Sequence, residues 1–377
     1  MHANSLNRSF SVLIPDGESG FALFAAHCLS YFSNVKIYVL SKECWSSIRF
    51  SRYCYSYTFE PATDDATHLE IISKLVSKNK IDVLLPTDTK EIYFALANKE
   101  VLANMAALAP LPDPKAFEIA NNKWLLSQFL EENQIPGPPS ILVNETHEFA
   151  ARLKDLEFPV LLKPMTSRDG KGIKQFDTPS DLMHFLDQQR PDTIWNRFIV
   201  QGFLSGSDVD LNFLSRDGEM LALTIQQAII PNRRKYGAAG AIRFIQNEKF
   251  SAVARKLVAG LAWSGFANVD TICDDNNNLR IVDINARFWG SVRGSLAVGV
   301  SFPYLACLAA LDIPFPMPNY EPIRYFHPQT ALQEEILSIL GRSQERNITF
   351  RESGFEFFLT DPIGEITRVY CQEFLGV

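Results

Sequence analysis

The stretch NVDTICDDNNNLRIVDINARFWG, residues 268–290, decides the fold. Its central run, Asp274 to Asn278, is a turn signal between two β-like runs, so the stretch reads as a hairpin. In the second strand Asp283, Asn285 and Arg287 alternate with Val282, Ile284, Ala286 and Phe288. Side chains alternate across a strand, so the polar groups share one face and the apolar groups bury the other. A turn centred between Asn276 and Asn277 puts Asp270 opposite Asp283. Like charges facing each other on adjacent strands are unfavourable unless something positive sits between them. Asp270, Asp283 and Asn285 offer oxygen ligands for a hard cation, with the guanidinium of Arg287 beyond. Mg²⁺ is usually held by one or two carboxylates plus substrate phosphates, which this set suits. The plainer alternative is a solvated hairpin face.

Upstream, Phe10 to Ile14 is a short β-branched run, followed by a loop with Gly17 and Gly20, a helical stretch over residues 21–32 and a second strand over 35–40. That order is typical of a parallel α/β unit. The loop can direct helix N–H groups at an anion, but Gly17 and Gly20 make no dinucleotide fingerprint. A helix over 65–79 leads to a strand at 81–85. Thr87 and Asp88, just past that strand, are either crevice residues or a helix cap.

A boundary falls near the proline pair Pro112 and Pro114. Beyond it the pattern predicts a helix over 115–133, a rigid proline connection at 135–139 and a helix over 146–156. The strand at 160–164 carries Lys163. After it, residues 165–172 form a loop in which Ser167, Gly170, Lys171 and Gly172 bring donors or charge toward an anion, or make a mere turn. Strands are expected over 173–176, 194–200, 209–214 and 220–230, and a basic loop holds Arg233, Arg234 and Lys235. A helix over 248–261 returns the chain to the hairpin. Near the C-terminus the pattern suggests strands at 347–351 and 355–359, and a helix at 332–340.

Composition is that of an ordinary globular protein: 46% hydrophobic and 21% charged residues. With 377 residues, two or three domains are expected. A net charge of -7 argues against nucleic-acid or anionic-membrane partners. Six cysteines without a CxxC pair read as free thiols in a reducing compartment, and no signal peptide is evident, so the expected location is cytoplasmic. The uncharged stretch 294–311 contains Gly299 and Pro303 and reads as a buried helix, not a membrane span.

In order, these elements resemble the ATP-grasp superfamily, and within it the carboxylate–amine ligase branch near the carbamoyl-phosphate synthetase large subunit. The most specific match is Asp283-Ile-Asn-Ala-Arg287, similar to the family's acidic-x-Asn-x-Arg motif. The Asp270 strand, Lys163-Pro164 and Asn121-Asn-Lys-Trp124 follow in the expected order. The resemblance implies an α/β (α+β) ATP-grasp fold. Its parts would be an N-terminal Rossmann-like domain over 1–112, an ATP-grasp domain over 113–318 with lobes 113–200 and 201–318, and a C-terminal extension over 319–377.

The resemblance also implies roles. Lys123 and Lys163 would bind nucleotide phosphates, and residues 167–172 would close over the β- and γ-phosphates. Gln201, Gly202 and Phe203 would form the hinge beside adenine. Asp210 would accept the ribose hydroxyls, with Asp208 as the alternative. Asp270, Asp283 and Asn285 would hold Mg²⁺, or Mn²⁺, and Arg287 would stabilise the transferred phosphoryl group or the acyl phosphate. Arg233 would meet the γ-phosphate or an anionic substrate, unless its loop is simply solvated. Arg293, with Arg287, suggests a carboxylate or phosphate on the substrate. Three departures stand out: Gln201 where the family usually has Glu, Asp at both acidic metal positions, and a loop with few glycines. The implied activity joins a small-molecule carboxylate to an amine or thiol through an acyl phosphate, in a monomer or homodimer. The alternatives are carboxylation, phosphorylation of another acceptor, or nucleotide binding without turnover.

Overall fold

The computed structural model describes residues 9–61, 64–144, 147–167, 170–194, 197–231, 239–343, 345 and 347–370. The apolar run at Phe10–Ile14 (β1) is buried along its whole length, as a central parallel strand covered on both faces must be. It pairs in parallel with β2 (Val35–Ser41) and with β4 (Val83–Leu84), while β3 (Cys54–Phe59) and β5 (Ala107–Leu108) flank these. The order is β3-β2-β1-β4-β5, so β2 and β3 lie on one side of β1 and β4 and β5 on the other. The loops after β1 and β4 therefore meet, and ligands favour the crevice at such a switch point. Here the crevice is clasped. The Thr87 N–H and hydroxyl donate to the Asp16 carboxylate at 3.0 and 2.9 Å, and the Asp88 N–H donates to it at 2.8 Å.

A second sheet holds β6 (Ser140–Leu142), β7 (Val160–Pro164), β8 (Lys174–Phe176) and β9 (Phe198–Gly202), in the antiparallel order β6-β9-β7-β8. One face packs Val160, Leu162 and Val200 against Leu182 and Leu186 in a core of its own. The other face presents Leu161, Lys163 and Gln201. This lobe is thus a separate body bearing polar groups on its inner side.

The third sheet is antiparallel and six-stranded: β10 (Ser207–Arg216), β11 (Glu219–Ile230), β12 (Ala241–Ile245), β13 (Gly265–Cys273), β14 (Leu279–Asn285) and β15 (Arg324–Phe326), in the order β14-β13-β10-β11-β12-β15. Its core is continuous with that of the N-terminal sheet. The helix pair at 114–132, expected within the first lobe, also buries Phe117, Leu126 and Leu130 in that larger core.

Several local expectations are corrected. The single helix over 115–133 is two, Pro114–Asn121 and Lys123–Glu132, broken at Asn122. Asn122 is extended, and its side chain accepts from the N–H groups of Trp124 and Leu125, so it starts a new helix that hydrophobic periodicity does not reveal. The strand over 194–200 starts only at Phe198, because Pro191–Ile194 is a helical turn. The C-terminal strands at 347–351 and 355–359 are instead a 3₁₀ turn, Phe350–Glu352, with a Thr349/Glu352 capping box, and a helix, Phe355–Thr360. Residues 294–311 fall into two short helices, Val292–Ala297 and Phe302–Ala310, and among the described residues no helix is long and apolar enough to cross a membrane.

The hairpin that opened the reading has Asp270 opposite Asp283, by a different route from the one expected. Cys273 pairs with Leu279, so the turn centres on Asn276 itself, one half-step from the expected centre. An irregularity between Asp270 and Thr271 leaves Val282 as an extra residue and restores the Asp–Asp pair. Asp274 seals the turn by accepting from the N–H groups of Asn276 and Asn278, both at 2.9 Å.

Candidate active site

Three aspartates lie in one row across adjacent strands: Asp210 on β10 pairs with Asp270 on β13, which pairs with Asp283 on β14. Polar residues at alternate positions make this a polar sheet face. Asn285 donates to Asn268 and to Asp270, both at 3.1 Å, Asn268 donates to Asn212 at 2.8 Å, and Gln226 on β11 donates to Asp210 at 2.6 Å. Burial pushes the Asp210 carboxyl up to about 6, with Asp208 adding to it. Burial, followed by the charges of Asp210 and Asp283, holds Asp270 well above the usual carboxylate range. Burial thus favours the protonated form of both carboxyls, a preference that a bound cation would reverse.

Cations face the row from two directions. The break at Asn122 places Lys123 in the first turn of its helix, where its ammonium meets Asp283 at 3.1 Å and the Ser167 carbonyl at 3.0 Å. Lys163, 4% exposed on β7, donates to the Gln201 side chain at 2.6 Å. Burial pulls the Lys163 amine down to about 8, against the pull of Asp283. Gln201 uses both ends of its amide, accepting from Lys163 and donating to Ser140 at 3.0 Å; a glutamate could not donate.

The hinge residues are partly committed. The Gly202 and Phe203 N–H groups donate to the carbonyls of Pro139 and Pro159. Neither proline has an N–H to return, so these residues offer carbonyl acceptors to a ligand, not donors. An open pocket of about 400 Å³ adjoins Gln201 and is walled by Leu130, Pro139, Gln201 and Val282. Gly170 and Gly172 take left-handed φ values of 69° and 79°, which turn the loop beside Lys163. The Ser167 hydroxyl is buried without a partner among the described residues, which suits an incoming phosphate oxygen. Lys171 is exposed.

The donor set suits Mg²⁺ shared with a nucleotide. Among the described residues no three His, Cys, Asp or Glu side chains converge as a self-contained metal cage, so the available donors are the carboxylates and amide of the row. Arg287 sits just past Asn285, donating to the Phe288 carbonyl at 3.0 Å and to Asn285 Oδ1 at 3.3 Å.

Some expectations change. Asp210 lies within the acidic row, tied to Gln226, whereas Asp208, the alternative ribose candidate, is exposed beside the segment that follows Gly202 and Phe203. Arg293 cannot reach a substrate: it is 1% exposed and paired with Glu365 at 2.5 Å. His27 is buried beside that pair and contacts Asp361 at 2.9 Å. Arg233, with Arg234 and Lys235, lies outside the described residues. Sequence reasoning missed Ser140, Gln226, Asn212 and Asn268. The last three repeat, on neighbouring strands, the polar alternation seen in β14, a signal that was available strand by strand but not across the sheet.

A family model for the ATP-grasp domain matches residues 120–291. The carbamoyl phosphate synthase large chain of Clostridium botulinum is 22% identical over 235 residues, covering 61% of this chain and 21% of that protein, so the chain spans about a fifth of that relative. A probable alpha-L-glutamate ligase of Haemophilus ducreyi is 26% identical over 200 residues, covering 52% of this chain and 60% of that protein. Among solved structures, N5-carboxyaminoimidazole synthetase from Staphylococcus aureus, complexed with ADP, superimposes with a TM-score of 0.67 at 15% identity, covering 91% of each chain. The family match over residues 120–291 and the agreement of fold along nearly the whole chain lead to one conclusion: residues 120–291 match the ATP-grasp domain, and the chain around them has the fold of the ATP-grasp enzymes it resembles.

Proposed function

We propose that the chain is an ATP-dependent carboxylate–amine ligase. The observation that carries this reading is the acidic row of Asp270 and Asp283 facing Lys123 and Lys163, with Arg287 one strand step further on. Carboxylates for a cation, lysines for phosphates and an arginine for an acid substrate then line one cleft. Asp270, Asp283 and Asn285 would hold Mg²⁺, or Mn²⁺ in its place, which supplies charge neutralisation at the transferred phosphoryl group.

The chain's own residues do the rest. Lys163, oriented by Gln201, holds the α- and β-phosphates. Lys123 and the Ser167 hydroxyl meet the terminal phosphates, and the loop with Gly170 and Gly172 covers them and keeps out water. Gly202 and Phe203 offer carbonyls to the adenine amine, and Asp208 accepts from the ribose. Arg287 orients the substrate carboxylate. One of its oxygens bonds to the γ-phosphorus as the bond to the β,γ-bridging oxygen breaks, releasing ADP. The amine nitrogen then bonds to the acyl carbon, phosphate leaves, and the nitrogen gives its proton to solvent. This catalysis is by positioning and charge, with no covalent enzyme intermediate.

The test is ADP release from Mg²⁺-ATP with amino acids, short carboxylates and bicarbonate, singly and paired with amines. Release that needs both partners, with the joined product found by mass spectrometry, supports the ligase. Release with a carboxylate alone points to phosphorylation or carboxylation, and ATP binding without stimulated release by any pair points to a nucleotide-binding protein. In Asp283→Ala, release should fall at least about 100-fold, the scale of losing a main electrostatic group.

A further inference from the structure

Arg287 is not held by its own strand alone. Its guanidinium carbon lies 4.7 Å from the centre of the Phe21 ring, which belongs to the N-terminal domain. Phe21 is in the first turn of helix Gly20–Ser30, and its N–H donates to the Ser19 hydroxyl at 3.2 Å, so the cap that starts the helix also places the ring. The same domain grips the next residue: the Phe288 N–H donates to the Thr87 carbonyl at 3.1 Å, and Thr87 is clasped to Asp16. On its edge the guanidinium donates to Phe288 and to Asn285.

We propose that Phe21 is a positioning residue for Arg287, holding the guanidinium flat so that its in-plane donors face the carboxylate substrate. The proposal rests on the role given to Arg287 above. A cation is drawn to the face of an aromatic ring, and a guanidinium lying parallel to that face keeps its N–H groups directed outward around the edge. Phe21 also packs at the margin of the core, so an apolar residue of similar size serves packing but not the cation. That difference separates positioning from bulk.

The experiment compares Phe21→Leu, Phe21→Tyr, Arg287→Gln and the double variant Phe21→Leu/Arg287→Gln. The readouts are ADP release stimulated by bicarbonate, amino acids and short carboxylates, and Mg²⁺-ATP affinity by calorimetry. Phe21→Leu is expected to lower kcat about 10- to 100-fold, the scale of a misplaced reacting group, with ATP affinity unchanged. Phe21→Tyr should restore kcat, and Phe21→Leu should cost nothing further once Arg287 is Gln. An unchanged kcat in Phe21→Leu overturns the proposal. So does an equal loss in the Arg287→Gln background, a Tyr variant no better than Leu, or a parallel fall in ATP affinity. If the unmodified protein releases no ADP with any carboxylate, the assigned reaction fails instead. The contact is then read as the ring-current shift of the Arg287 Nε–H resonance, which Phe21→Leu should abolish; no shift in the unmodified protein overturns the contact itself.

Discussion

Lys163 and Gln201 show how one side chain's chemistry depends on another. The lysine is buried, so its charge is costly, and its amine titrates near about 8. Below that pH it is charged and, under the proposed function, would hold phosphate; as pH rises through it, the charge is lost and that contact with it. Gln201→Glu puts a carboxylate where the amide oxygen now accepts, which favours the ammonium and raises its pKa. The alkaline limb of kcat/KM for ATP should therefore move to higher pH. A limb that stays in place would show that a different group controls it. The two lysines were legible as residue types in order along the chain. The partnership of Lys163 with Gln201 was not, because 38 residues separate them and only the β7–β9 register brings them together.

At the scale of the element, Gly172 is the position where backbone geometry and loop closure meet. Its φ is 79°, and an added methyl group would stand 2.8 Å from Pro164 Cγ. Gly172→Ala should therefore strain the loop by about 1–3 kcal/mol. Because the strain is local, the expected outcome is a raised KM for ATP with a melting temperature close to that of the unmodified protein. A large drop in melting temperature would place the glycine's role in folding. The hairpin teaches the converse lesson. Counting residues from the turn gave the right Asp–Asp pair, yet the real turn is half a step away and Val282 takes up the difference. Alternation decides which residues share a face; bulges and turn centres follow from backbone hydrogen bonds such as those to Asp274, which composition alone does not rank.

Across the whole molecule, the C-terminal segment is built into the body by buried charge. Arg293, beside the site, meets Glu365 of helix Pro362–Tyr370, which also pairs with Arg368, while His27 meets Asp361. Burial alone would raise the Glu365 carboxyl, but Arg293 and Arg368 outweigh it and hold its pKa below the usual glutamate value. A depressed carboxylate stabilises the fold above its unfolded pKa, and that stability is lost as pH falls through the folded value. Glu365→Ala should destabilise the protein by about 3–5 kcal/mol in denaturant unfolding at neutral pH, because it leaves a buried guanidinium unpaired. The double replacement Arg293→Leu/Glu365→Leu should cost less, and the acid limb of stability should flatten in both. Equal costs for the single and double variants would show that the unpaired guanidinium is not what makes the single replacement costly.

The sequence by itself determined the fold class, the hairpin with its acidic face and the order of lysine, loop and Asp-x-Asn-x-Arg, since these depend on period, turn chemistry and local spacing. Tertiary structure alone decided that Asp210 joins the acidic row, that Arg293 is a strut and not a substrate ligand, and that Phe21 lies beneath Arg287. Each of those depends on which strands and helices become neighbours. Neighbours far apart in the chain are chosen by the packing of the whole core, for which no local pattern carries a signature.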